Sequence, residues 1–125
     1  VSSYPSDFKY TKDHEWVRLQ DAEATVGITD FAQRQLGDIV FLELPAVGQK
    51  VKQGEVLGQI ESVKAVSELF APVSGEVVAT NGDLVTHPEA INSKPHDSWM
   101  VRIRTSAPGE AASLLDAAAY ASLVK

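Results

Sequence analysis

Val56-Leu57-Gly58-Gln59-Ile60-Glu61-Ser62-Val63-Lys64-Ala65-Val66-Ser67-Glu68-Leu69-Phe70-Ala71-Pro72 reads as two short strands meeting near residues 62–65. That places Lys64 at or close to a hairpin tip. A lysine there has a long stem and a solvated, reachable ammonium. Ser62 and Ala65 beside it are small and leave room for an approaching protein. On either side, Gly48, Gly54, Gly58, Pro72, Gly75 and Gly82 cut residues 45–82 into short apolar runs. Short strands with regularly spaced turn signals predict a small all-β sandwich or barrel.

Outward from the hairpin the pattern continues. Glu15, Val17 and Leu19 alternate with Trp16 and Arg18, and Ala24, Val26 and Ile28 alternate with Thr25 and Gly27, so two strands are predicted around a turn at residues 20–22. Thr29 precedes the acid-led heptapeptide 30–36 and Gly37 follows it, which predicts a short helix over 30–36 with a Thr N-cap and a Gly C-terminal stop. Residues 39–44 read as a buried-type strand stopped by Pro45, and 99–104 as a last strand. Residues 86–98 read as a loop with one helical turn after Pro88, and 109–125 as a helical tail broken near Ala117. Gly75 reads as a turn glycine with positive φ. Gly48-x-x-Val51-x-x-Gly54 and Gly75-x-x-Val78-x-x-x-Gly82 form a weak internal repeat, which suits a sandwich with an approximate two-fold axis.

The 125 residues suit one domain, divided as an arm (1–9), a β core (10–105) and a helical tail (106–125). Hydrophobic residues are 44% and charged residues 22%, a globular balance. The net charge of −6 argues against a nucleic-acid partner, since phosphate binding needs clustered basic charge. The chain has no cysteine, so thiol chemistry has to come from an attached group. No apolar run is long enough to span a bilayer, and no basic-then-apolar leader opens the chain, so neither a membrane nor an export signal is expected. Three scattered histidines without matching carboxylate spacing predict no metal site.

The hairpin resembles the lipoyl-bearing hairpin of the glycine cleavage system H proteins. Glu61-Ser62-Val63-Lys64-Ala65 is similar to the family's modification site, and Ala71-Pro72-Val73-Ser74-Gly75-Glu76-Val77 to the run after it. The resemblance extends to His14-Glu15-Trp16, Gly27-Ile28-Thr29-Asp30-Phe31-Ala32-Gln33, Leu36-Gly37-Asp38-Ile39-Val40-Phe41, Glu43-Leu44-Pro45-x-Val47-Gly48, Pro88-x-x-Ile91-Asn92, Trp99 and the Leu114-Leu115-Asp116 and Tyr120 tail. One departure is Ser98, where the family more often has Gly before the Trp.

The resemblance implies a lipoyl/biotinyl-type β-sandwich, a barrel-sandwich hybrid with short helices. It implies lipoic acid on Lys64, recognition of the hairpin by a lipoyl-attaching enzyme through Glu61 and Gly75, and a groove for the loaded arm at Glu15, Glu68, Ile28 and Val66. The chain would be a carrier, not an enzyme. It would take the aminomethyl group of glycine from a pyridoxal-phosphate glycine decarboxylase to a tetrahydrofolate-dependent aminomethyltransferase. A dihydrolipoamide dehydrogenase would then reoxidise the arm. The family works in the bacterial cytoplasm or the mitochondrial matrix, and a monomer is expected. Two alternatives stay open. A biotinyl or other lipoyl carrier domain shares the fold, although Val63 and Ala65 flank Lys64 where biotin sites usually have methionine. A Schiff-base enzyme would need the Lys64 pKa brought well below the usual ~10.4.

Overall fold

The computed structural model describes residues 4–124; residues 1–3 of the expected arm and Lys125 of the expected tail lie outside the described residues. The elements run β1 (Lys9–Tyr10), β2 (Glu15–Gln20), β3 (Glu23–Ile28), α1 (Asp30–Leu36), β4 (Ile39–Glu43), β5 (Lys50–Val51), β6 (Val56–Ser62), β7 (Val66–Phe70) and β8 (Gly75–Thr80). They continue with α2 (Gly82–Thr86), α3 (Ala90–Ser93), β9 (Val101–Thr105), a 3-10 turn (Pro108–Ser113) and α4 (Ala117–Leu123). The strands form two antiparallel sheets, one ordered β1-β2-β3-β9-β8-β5 and one β4-β6-β7. Val17, Val26, Ile28 and Ile103 from the larger sheet meet Ile39, Leu42, Leu57, Ile60 and Leu69 from the smaller in one core. The chain is thus mainly β, a two-sheet sandwich with short helices and a helical C-terminal segment.

The helix predicted over 30–36 forms as its caps dictate. The Thr29 hydroxyl accepts from the Ala32 amide, and Gly37, at φ 81°, donates its amide to the Gln33 carbonyl. Seven residues are too few to hold a helix alone. Asn92 supplies the external hold, donating its amide to the Gly37 carbonyl and to Gln33 Oε1 while accepting from the Ile39 amide at 2.9 Å.

Two expectations need correction, one on β4 and one on the repeat glycines. The strand at 39–44 is only half buried: a bulge between Ile39 and Phe41 turns Val40 and Phe41 outward, and among the described residues no third layer covers that face of β4. The segment at Gly82–Thr86, to which the sequence analysis assigns no element, is a helix. The tail breaks at 114–116, next to Ala117 as expected, and Asp116 caps α4 by accepting from the Ala119 amide. The glycines of the internal repeat do not share a conformation: Gly48 and Gly54 have positive φ, whereas Gly75 does not. Gly75 lies in β8, paired with Val51 and Thr105, and a Cβ there would overlap the Arg104 carbonyl oxygen. Close approach of a neighbouring backbone, and not a turn, is what requires glycine. At Ser98, where the family more often has Gly, the hydroxyl donates to the Ala90 and Lys94 carbonyls and closes α3 onto the strand that follows.

A second, aromatic cluster covers part of the larger sheet. Phe8 stacks on Trp16 at 4.7 Å, and Tyr10 stacks on Tyr120 at 4.8 Å. The Tyr120 hydroxyl sits 2.8 Å from His14 Nδ1 and 2.7 Å from Thr29 Oγ1. One side chain from α4 therefore ties the 11–14 loop to the N-terminus of α1. Tyr120→Phe leaves a buried Thr29 hydroxyl and His14 nitrogen short of a partner and is expected to cost about 1–3 kcal/mol. A urea-unfolding midpoint equal to that of the native chain would show that the hydroxyl is dispensable.

Candidate functional site

The tip between β6 and β7 is a tight, internally bonded turn. The Ser62 amide donates to the Ala65 carbonyl at 2.8 Å, and the buried Ser62 hydroxyl accepts from the amides of Lys64 and Ala65. The Val63 amide donates to the Asp38 carbonyl at 3.0 Å, which links the tip to the 37–39 segment that Asn92 holds. Sequence reasoning took Ser62 only as a small neighbour, and Asn92 only as a family mark. In the structure both fix the tip's geometry. A Ser at the start of a hairpin turn, where its hydroxyl can bond backbone amides two and three residues on, is the sequence signal for that role.

Lys64 is exposed at this tip, and among the described residues its ammonium has no hydrogen-bond or ion-pair partner. A Cβ on Gly37 would come within 3.5 Å of Lys64 Cε, so the lysine stem lies close over the Gly37 backbone. The smaller sheet presents a mixed face beside the tip. Phe41, Glu61 and Val66 lie in one cross-strand row, and Glu43, Gln59 and Glu68 in the next. Phe41 is 49% and Val66 60% exposed, and Glu61 and Glu68 are exposed with them. An acidic rim with apolar side chains around a reachable lysine is a surface that another protein can cover, since exposed apolar groups gain from being covered.

The four residues expected to form a groove divide into two pairs. Val66 and Glu68 lie on the outer face of β7. Glu15 and Ile28 face each other across β2 and β3 and are buried, Glu15 at only 1% exposure. A hydrogen bond joins the pairs: Glu15 Oε2 accepts from the Phe70 amide at 3.0 Å, while Oε1 accepts from the Thr11 hydroxyl at 2.7 Å. β7 therefore runs from the lysine tip toward Glu15. His14, just before it, has φ 69°, a left-handed conformation held by the Thr29-amide-to-His14-carbonyl bond and by Tyr120. Burial lowers the His14 pKa and keeps its ring neutral. His14 and Glu15 do not form an acid-base pair.

Burial lifts the Glu15 carboxyl from 4.5 to about 7, against the two hydrogen bonds that favour its charged form. The folded chain thus holds a proton there that the unfolded chain has released. With a folded pKa above the unfolded one, stability is greatest below about pH 4.5 and falls as pH rises to about 7, by about 3 kcal/mol in total. Glu15→Gln keeps an acceptor for the Phe70 amide and removes the titration. Its unfolding free energy is expected to be flat over that pH window where the native chain declines. Parallel pH profiles would contradict the assignment.

Among the described residues no three His, Asp or Glu side chains gather as a metal site, and no helix is long and apolar enough to cross a membrane.

The glycine cleavage H-protein family profile matches residues 8–125. The glycine cleavage system H protein of Acidobacterium capsulatum is 53% identical over 123 residues, covering 98% of this chain and 95% of that one. That of Koribacter versatilis is 54% identical over 118 residues, covering 94% and 91%. The crystal structure of a glycine cleavage system H protein from Mycobacterium marinum superposes with a TM-score of 0.88 at 41% identity, covering 95% of this chain and 97% of that one.

Proposed function

The chain belongs to the glycine cleavage H-protein family, and from that premise we propose that it is the system's lipoyl carrier, with lipoic acid joined by an amide to Lys64. The observation that carries this is an unpartnered lysine held out on a rigid, self-bonded turn. A flexible tip would lose more entropy on binding a partner than this turn does. When bound, lipoate supplies a disulfide that accepts the aminomethyl group of glycine and is later reoxidised. The cysteine-free chain has no sulfur of its own for that step.

The chain's own residues present, orient and shield. Ser62 and the Asp38 carbonyl set the direction in which Lys64 leaves the surface. Phe41, Val66 and Glu61 offer a face of mixed character to the lipoyl-attaching enzyme. The same face is offered to the glycine decarboxylase, the aminomethyltransferase and the dihydrolipoamide dehydrogenase. Gly75 supports ligase recognition indirectly, by letting β8 lie against β9. The protein acts as a monomeric carrier substrate and performs no catalysis itself. Its bacterial relatives favour a cytoplasmic site of action. Incubation with a lipoate ligase and lipoate, followed by intact mass and peptide mapping, tests the reading. One adduct on the peptide containing Lys64 is expected, and an unmodified chain would refute it.

The loaded arm docks along β7 in this proposal, over Val66 and past Glu68 toward Glu15, with Ile28 beneath. Its terminal amine is cationic, so exposed Glu68 attracts it directly. Glu15 has both oxygens engaged and contributes as charge only when ionised. Covering each CH₂ of the tether contributes roughly 0.8 kcal/mol. The amine is expected to hydrolyse from loaded protein faster in Glu68→Gln, and in Glu15→Gln mainly above about pH 7, where the native carboxyl is charged. Decay rates equal to those of the native chain would remove both carboxylates from the groove.

A further inference from the structure

The far end of the larger sheet carries a feature that Lys64 and its face do not use. Arg18 on β2, Thr25 on β3 and Arg102 on β9 occupy one cross-strand row on the outer face. With Arg104 they border an open concavity of about 450 Å³. Three of the chain's four arginines are therefore gathered here, in a chain of net charge −6. Among the described residues none of the three makes an ion pair, whereas Arg34, the fourth, pairs with Asp30 at 2.8 Å.

Thr25 forms the floor. It is 6% exposed, and among the described residues its hydroxyl has no hydrogen-bond partner. No buried side-chain polar atom among the described residues is left unsatisfied, so this hydroxyl opens onto the hollow and is free to bond whatever fills it. Neighbouring strands lie about 4.8 Å apart, so the backbones bearing Arg18 and Arg102 flank Thr25 at about 10 Å from each other. That separation leaves space for one small group between two guanidiniums. Arg102 is also pre-positioned, since its guanidinium lies 4.7 Å over the Trp99 ring, which costs it freedom before any ligand arrives.

We infer that this row is a binding site for a phosphate group, free or as a monoester, seated on the Thr25 hydroxyl between Arg18 and Arg102. The donors reach the centre from two sides and from below. Such a set matches the divergent oxygens of a tetrahedral anion. A planar carboxylate would be satisfied by one guanidinium fork. Asp21 and Glu23 border the same hollow at the turn end, beside Arg104, and oppose the anion. They leave one net positive charge over the hollow and set its affinity. The site lies at the end of β2 and β3 remote from α1 and the lysine tip, so occupancy and use of the arm do not compete.

The test is an NMR titration of the full chain with inorganic phosphate, and separately with glycerol 3-phosphate, at ionic strength held constant with chloride. Saturable shifts at the Arg18 and Arg102 Nε–H groups and the Thr25 amide are expected. A lower midpoint for glycerol 3-phosphate assigns the site to monoesters, and equal midpoints assign it to free phosphate. Acetate should need about tenfold more. The double substitution Arg18→Gln with Arg102→Gln, at one exposed and one half-buried position, should abolish saturation. Thr25→Val, which keeps shape and strand preference, should raise the midpoint several-fold, and Glu23→Gln should lower it. Linear, unsaturable shifts that persist in the double variant would overturn the site. So would acetate binding as tightly as phosphate, or midpoints unmoved by Thr25→Val and Glu23→Gln.

Discussion

Lys64→Arg is expected to abolish lipoylation and to leave folding unchanged. Arginine keeps the charge and most of the stem, but its guanidinium is not an acylatable amine under the conditions of ligation. The lysine ammonium has no partner among the described residues and the residue is exposed at the tip, so nothing in the folded state depends on the ammonium. The unfolding midpoint should stay within the ±0.5 kcal/mol typical of surface changes. Intact mass after incubation with ligase and lipoate is the measurement. An adduct on the variant would move the acceptor to another lysine. Lys9, Lys12, Lys50, Lys52 and Lys94 all lie outside the turn that Ser62 organises, so that result would remove the tip from the account altogether.

Gly75→Val is expected to be the most destabilising of the substitutions considered, at about 3 kcal/mol or more. The added Cβ would meet the Arg104 carbonyl oxygen and carbon and the Ile103 side chain, and none of these is the loose end of a flexible chain. Relief requires β8 to part from β9, which would break the Gly75–Thr105 pairing and uncover Val77 and Ile103 in the core. Gly75→Ala meets the same obstruction with a smaller side chain and should fall between the two. Thermal melts of the three proteins are sufficient. Equal melting temperatures would mean that the β8–β9 contact yields at no cost. Lipoylation of whatever fraction remains folded should proceed at a near-native rate, because the tip belongs to the other sheet. A slow rate in fully folded Gly75→Ala would instead assign Gly75 a direct part in ligase recognition.

The features legible in the chain alone are those set within a few residues. The hairpin around Lys64, the β2–β3 alternation and the Thr29-to-Gly37 helix follow from period-two patterning, small turn residues and caps, all of which act locally. The family's ordered motifs extended that local reading to the fold and to the lysine. What tertiary structure alone decided depends on partners far apart in sequence. Glu15 looks like a strand carboxylate open to water until Phe70 and Thr11 close over it, and burial then moves its proton affinity. Gly75 looks like a turn glycine until Arg104 is laid across it. Phe41 looks like core until the smaller sheet is seen to lack a covering layer. Arg18, Thr25 and Arg102 are unrelated in the linear chain and become one row only through the pairing of β2, β3 and β9. Desolvation, close backbone approach and cross-strand register are properties of the assembled sheets, and no window of consecutive residues contains them.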